Sequence, residues 1–298
     1  MEFLAIVPLC GIYVILCAMF IIVIFLRRRW LQHRKYRSPF TENFLRNPGE
    51  SLVEQIEEIN NDISYYLTIS FFSPMMVYSL HISQSYFGAE KESLFRIVFS
   101  FSAGVILTTV STVLLIKSLN RRRNLRLGYD GELAVGQELN QLMRDGYHVF
   151  HDFPVEKFNI DHIVVGRSGV FAVETKARSK PVIGDKRAEA EVIYDGNCLM
   201  FPKWKETKPI EQAINQAKWL SKYLSDAVGE KIEAKPVVAL PGWYVKRTSS
   251  HGIPVVNPKA FYSLLKNSDL SDSMIKRIAY QLNQKCRNVE PKHIRIKG

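Results

Sequence analysis

The chain has 298 residues, 47% of them hydrophobic, with 40 Lys and Arg against 29 Asp and Glu, a formal net charge of +11 and a pI of about 9.4. Its length allows about two units at ~150 residues per domain, and its basic balance points to an anionic partner, nucleic acid or an anionic membrane surface. The four cysteines, Cys10, Cys17, Cys198 and Cys286, form no C-x-x-C pair, which argues against a zinc site or disulfide framework and fits a reducing compartment for the C-terminal part.

Three apolar runs lie in the first 116 residues. Phe3 to Leu26 is long enough to cross the roughly 30 Å hydrocarbon core. It starts Met1-Glu2 and ends in Arg27-Arg28-Arg29-Trp30, which reads as an uncleaved anchor rather than a signal peptide. Residues 63 to 82 form a wetter second run with Pro74 inside it, read either as a membrane helix whose polar side chains face neighbouring helices or as a buried soluble helix. Leu94 to Ile116 is the third, with Arg96 placed to snorkel at one end and Lys117 and Arg121-Arg122-Arg123 after the other. The basic clusters agree on one topology: N-terminus outside, residues 27 to 62 inside, a short loop around Glu90-Lys91-Glu92 outside, and everything after 117 in the cytoplasm. The expectation is a multi-pass protein of the plasma (inner) membrane. Its parts are a membrane domain over 1–117 with spans at about 3–26, 63–82 and 94–116, a basic linker over 118–129, and a soluble domain over 130–298. Segment 38–62 reads as a loop followed by a short amphipathic helix, with no function assigned. Ala103-Gly104 and the hydroxyl residues of the third run permit close helix packing, and with it a homo-oligomer.

From Asp130 the pattern becomes α/β. "DGELAVGQELNQLMRDG" has helical period, with Leu133, Val135, Leu139 and Leu142 near one face and Gly146 as a stop. "YHVFHDFPV" alternates like a strand. In "DHIVVGRSGVFAVETK" two β-branched runs flank Gly166-Arg167-Ser168-Gly169, a hairpin signal. A turn symmetric about Arg167-Ser168 pairs Val165 with Val170, Val164 with Phe171, Ile163 with Ala172, His162 with Val173 and Asp161 with Glu174. Opposed residues share a face and side chains alternate with period two, so Asp161, Glu174 and Lys176 gather at one end of one face. Two carboxylates about 5 Å apart repel each other, whereas a divalent cation makes the pair favourable. A lysine two residues along can orient or deprotonate a water, or offset charge on a phosphate. The cluster reads as a metal-dependent phosphodiester hydrolysis site. A lone E-x-K is more often a solvated strand face, and a one-residue bulge would separate the pair.

Three blocks in order resemble the nuclease-related domain (NERD) family of the PD-(D/E)XK nuclease-like superfamily: "GELAVGQEL" with Gly131 and Glu132, "IDHIVVGRSGVFAVETKA", and "KPIEQAINQAKWL" with Pro209, Gln212 and Gln216. The resemblance covers roughly residues 128 to 245. It implies an α/β fold with a restriction-endonuclease-like core, a mixed sheet flanked by helices, following the transmembrane helices. It also implies Asp161, Glu174 and Lys176 at the catalytic positions, and Glu132 joining Asp161 and Glu174 at a Mg²⁺ or Mn²⁺ site. Gln212 matches the family's Pro-x-x-Gln, and Gln216 lies one turn further on the same face, so either amide can reach the site. The implied partner is nucleic acid, with DNA the expected substrate.

The stretch from Ala177 to Trp204 is longer and more charged than the family suggests. It reads as extra strands around Asp195-Gly196, with Lys180, Lys186, Arg187, Lys203 and Lys205 either tracking a phosphate backbone or solvating a hairpin. Further on, "AKPVVALPGWYVKR" reads as a core strand and a turn at Pro241-Gly242. "IPVVNPKAFYSLL" reads as a strand and a helix capped by Asn257, and the chain closes on an amphipathic helix. By parity His162 points away from Asp161 and reads as packed or hydrogen-bonded. His148 and His151 form no ligand cluster with a cysteine, and Trp204, Trp219 and Trp243 read as buried more readily than base-stacking.

The expectation is a membrane-anchored nuclease acting against incoming foreign DNA. Two alternatives are a catalytically inactive nucleic-acid-binding or signalling module on the same fold, and a membrane scaffold.

Overall fold

The structure is a computed structural model, and it describes residues 18–27, 29, 39–87, 94–182, 184–265 and 270–291. A short apolar helix, α1 (Ala18–Arg27), is the described part of the first apolar run; residues 3–17 and the Glu90-Lys91-Glu92 loop lie outside the described residues. The remaining description concerns the compact unit Leu45–Asn288.

After a two-residue strand, β1 (Phe44–Leu45), come two long helices, α2 (Glu50–Phe87) and α3 (Leu94–Asn140). Among the described residues one helical stretch, Ile97–Asp145, is long and apolar enough to cross a membrane. The second apolar run is helical throughout, inside α2, with Pro74 within the helix. The two helices meet through small and hydroxyl-bearing residues. Ser70 and Ser111 share a hydrogen bond at 2.8 Å, and Ser73 and Thr108 another at 3.0 Å. A Cβ on Gly104 would stand 3.4 Å from Val77. Such seams let apolar helices approach closely. Outward, Phe71, Phe95 and Phe101 are each at least 74% exposed. Residues 118–129 are the middle of α3 rather than a linker, so the helix carrying the apolar run also delivers Glu132.

After α3 a 3-10 turn, Gln141–Asp145, ends on Gly146 at φ 83. Strands β2 (His148–Pro154), β3 (Asn159–Gly166) and β4 (Gly169–Thr175) form an antiparallel meander. A short helix α4 (Lys186–Ala190) and strands β5 (Glu191–Tyr194), β6 (Leu199–Met200) and β7 (Lys205–Glu206) fill the long insertion. Helix α5 (Lys208–Val228) leads to β8 (Ala234–Ala239), β9 (Tyr244–Arg247) and β10 (Val255–Val256). Asn257 accepts from the Lys259 N–H at 3.1 Å, but the segment it caps, Pro258–Leu264, is a 3-10 turn rather than an α-helix. Helix α6 (Asp272–Cys286), capped by Ser271, is the amphipathic helix the sequence closes on.

The main sheet has the order β10-β8-β4-β3-β2, with β8 parallel to both β4 and β10. A second sheet has the order β7-β6-β5-β9. Every residue of β4 is buried, which requires cover on both faces. One face packs Ile163, Val165, Val170 and Ala172 against Ala217, Leu220 and Leu224 of α5 and Ile278 and Leu282 of α6. The other packs Val164, Phe171 and Val173 against Val135 and Leu139 of α3. The second sheet joins the start of α5 through Tyr194, Leu199, Phe201, Ile210 and Trp243. Trp243 is 1% exposed and donates from Nε1 to the Arg178 carbonyl at 3.2 Å; Trp204 stacks on Phe201 and Trp219 on Tyr223.

Candidate active site

The β3–β4 hairpin pairs as a symmetric turn predicts, from Gly166 with Gly169 to His162 with Val173. Gly169 takes φ 110, a conformation that L side chains rarely adopt, which lets two residues close the turn. With no bulge in the ladder, Asp161 lies near the start of β3 beside the end of β4. Its Oδ2 accepts from the Thr175 N–H at 2.7 Å. Lys176 turns back to form an ion pair with Glu174. The three residues that the alternation groups therefore do meet.

Glu132 approaches from α3. Gly131 makes this possible, since a Cβ there would stand 2.5 Å from the Ala177 Cβ just beyond β4. Burial, then the Asp152 and Glu174 carboxylates, push the Glu132 carboxyl up to about 8. Lys176 and a hydrogen bond from the Gly49 N–H act in the opposite direction. Asp161 is pushed well above the usual carboxylate range by burial first, then by Glu174 and Glu132. Glu132 and Asp161 thus hold their protons more tightly than they would in water, with Glu174 close to both.

Helix α5 supplies the amide. Its buried stripe, Ile210, Ala213, Gln216, Ala217, Leu220 and Leu224, follows the i, i+3, i+4 spacing, with Pro209 at the start and Gly229 at φ 76 after the end. Gln216 donates from Nε2 to Glu174 Oε2 and, at 3.2 Å, to the Asn159 carbonyl. Gln212 makes neither bond. It is half-buried and sits one turn, about 5.4 Å, nearer the helix start, so Gln216 is the amide that meets the carboxylates.

His162 and His151 are paired across β3 and β2 with Nδ1 to Nδ1 at 2.8 Å, and His151 Nε2 meets Asn140 Oδ1 at 2.9 Å. Burial pushes His151 down to about 4 and His162 well below its ordinary value, so both imidazoles are neutral. His162 is packed and hydrogen-bonded, as its parity predicts.

Asp152 carries no motif, and the sequence reading passes over it. It is 2% exposed, sits in β2 at φ 47, and accepts from Arg46 Nε and Nη2 at 3.0 and 2.6 Å, from the Ser51 N–H at 2.6 Å and from Asn159 Nδ2 at 3.0 Å. Residues 46–51, in a segment to which the sequence assigns no function, therefore reach the site. A Cβ on Gly49 would stand 3.7 Å from Glu132 Oε2. The one sequence signal was an aspartate inside an apolar strand.

A divalent cation can be tested against these donors. Glu132 Oε2, Gln216 Oε1 and Thr175 Oγ1 are buried with no hydrogen-bond partner. Buried oxygens are ordinarily partnered, and hard cations take oxygen ligands. The donor chemistry fits Mg²⁺ or Mn²⁺. Among the described residues no group of three His, Cys, Asp or Glu side chains is arranged to enclose a metal ion. The ammonium of Lys176 instead supplies the positive charge beside Glu174.

The nuclease-related domain (NERD) family matches residues 127–241, the segment that contains Glu132, Asp161, Glu174, Lys176 and Gln216. No curated protein and no solved structure gives a match. The match points to a nuclease-related function for this segment.

Proposed function

We propose that the nuclease-related segment is a metal-dependent phosphodiesterase that cuts DNA at the cytoplasmic face of a membrane. The observation that carries this reading is the meeting of Asp161, Glu174 and Lys176 at one end of the β3–β4 hairpin, with Glu132 brought in from α3. Asp161, Glu174 and Glu132 would hold Mg²⁺ or Mn²⁺ only by closing on it from their present arrangement, with Lys176 giving up its ion pair to Glu174. When bound, the cation would neutralise the crowded carboxylates and polarise the phosphodiester. The Thr175 N–H and the Gln216 amide fix Asp161 and Glu174 respectively. Lys176 orients the attacking water or offsets negative charge on the phosphate as the bond from phosphorus to the leaving oxygen breaks.

Attachment to a lipid bilayer is supported by the long apolar stretch of α3, its exposed aromatic residues and the arginines that follow it. Placement at the inner face would confine cutting to nucleic acid arriving there, so a role against foreign DNA follows from position. The seam between α2 and α3 is compatible with a homo-oligomer. A second reading, a nucleic-acid-binding module without catalysis, is favoured by one observation: Lys176 already neutralises Glu174. The test is a cleavage assay of the full chain in lipid nanodiscs, with and without Mg²⁺ or Mn²⁺, on single-stranded DNA, duplex DNA and RNA. Metal-dependent cleavage of DNA supports the proposal; nucleic-acid binding with no cleavage under any metal favours the module.

A further inference from the structure

Asp152 occupies a position that nothing in a strand requires. Its φ of 47 is uncommon for a residue with a side chain, and such conformations persist only where the surroundings over-determine them. β2 pairs with β3 at His151 with His162 and at Phe153 with Ile160, which leaves Asp152 beside Asp161 as the position between them. The surroundings that hold it come from far along the chain. Arg46 grips Oδ2 with two nitrogens, and Ser51 adds its backbone N–H to Oδ2 and its hydroxyl to Oδ1 at 2.8 Å. Ser51 lies in the first turn of α2, where helix N–H groups favour an anion.

From Asp152 the contacts run on to the site. Asn159 Nδ2 donates to Asp152 Oδ1 at 3.0 Å, the Asn159 carbonyl accepts from Gln216 Nε2 at 3.2 Å, and the same nitrogen donates to Glu174. Arg46 and Ser51 lie outside the matched segment 127–241. We propose that Asp152, clamped by Arg46 and Ser51, is a positioning residue for Glu174, so that the site is completed by the segment that opens α2. The inference rests on the nuclease reading and adds to it a requirement for chain N-terminal to the nuclease-related domain. A truncation starting at 118 removes the clamp and leaves a buried carboxylate short of its cation.

The test uses the full chain in nanodiscs and reads Mn²⁺ binding by electron paramagnetic resonance, alongside melting temperature. Arg46→Met and Gln216→Leu are each expected to weaken Mn²⁺ binding about tenfold, as changes behind metal ligands do. The double variant is expected to be little weaker than the worse single one, because both interrupt one connection. Ser51→Ala, which removes one hydroxyl, carries the same test if Arg46→Met does not fold, with a loss of about threefold expected. The proposal is overturned if Arg46→Met or Ser51→Ala lowers the melting temperature while Mn²⁺ affinity stays at that of the unsubstituted chain. Single effects that multiply in the double variant overturn it too. An unsubstituted chain that binds no Mn²⁺ removes the nuclease reading and this inference together; binding that is indifferent to Arg46 removes this inference alone.

Discussion

Gln216 donates a hydrogen bond to Glu174 across 42 residues of sequence, while its own Oε1 is buried without a donor. An amide held this way fixes one carboxylate and keeps an acceptor in reserve. Gln216→Leu is therefore expected to lower kcat at least about tenfold. Gln212→Leu, one turn away and without either bond, is expected to stay within about threefold. Steady-state kinetics on both variants decides between the two amides, and equal losses would contradict the geometry.

Lys176 is ion-paired with Glu174 beside Asp161. Lys176→Met should lower the single-turnover cleavage rate by roughly 10²- to 10³-fold, the usual effect of losing a charge aimed at the reacting group. Substrate affinity should change much less, and circular dichroism should report an unchanged fold. An active Lys176→Met variant would place the chemistry elsewhere.

Arg46 and Asp152 are 9% and 2% exposed at their side chains. Removing one partner of a buried pair leaves an uncompensated charge, at a cost of about 3–5 kcal/mol. Arg46→Ala should accordingly lower the melting temperature by on the order of 10 °C. Arg167→Ala, whose ion pair with Asp272 is about 70% exposed on both sides, should change it by at most about 2 °C. Differential scanning fluorimetry separates these outcomes.

Gly131 lies one residue before Glu132, and a Cβ there would overlap the Ala177 Cβ at 2.5 Å. Gly131→Ala should push α3 away from the end of β4, at about 1–3 kcal/mol of stability. Metal-dependent activity should fall with it, because Glu132 moves with the helix. Gly146→Ala, where a Cβ meets nothing within 4 Å, is strained only by its φ of 83 and should leave activity intact.

His151 is neutral in the fold, pushed down to about 4 by burial, with Asp152 opposing; its ring faces His162, itself pushed down, and Asn140. An unfolded histidine takes up its proton near 6.5, so the stability that His151 contributes is full above that pH and is lost as pH falls toward 4. The loss is on the order of 3 kcal/mol. Chemical denaturation across that window should show a shallower acid slope for His151→Gln than for the unsubstituted chain. Identical slopes would show that His151 does not titrate there.

Local patterning carried the hairpin. Both runs are apolar on both faces, so it is the two-residue turn, with Gly169 able to take φ 110, that fixes the register and puts Asp161, Glu174 and Lys176 together. The face of Val135, Leu139 and Leu142 and the stop at Gly146 were legible because helical period is a local property, whereas Leu133, read onto that face, is only half-buried and stays outside the cluster. Residues 118–129, read as a basic linker, lie inside α3 because a run of arginines does not by itself break a helix. Gln212 and Gln216 are equivalent in helical period, and only the height of Glu174 along α5 separates them.

The sequence by itself determined the strand register, the grouping of two carboxylates with a lysine, and the apolar stretch that precedes them, since each depends on neighbours within a few residues. Tertiary structure alone decided that Arg46 and Ser51 close on Asp152, that Gly131 packs on Ala177 and so brings Glu132 in, and that Gln216 is the amide in reach. Those contacts join residues 42 to 106 positions apart. No periodicity encodes such distances; they exist because packing both faces of one sheet brings the start of α2, the last turns of α3 and the middle of α5 to the same end of its strands.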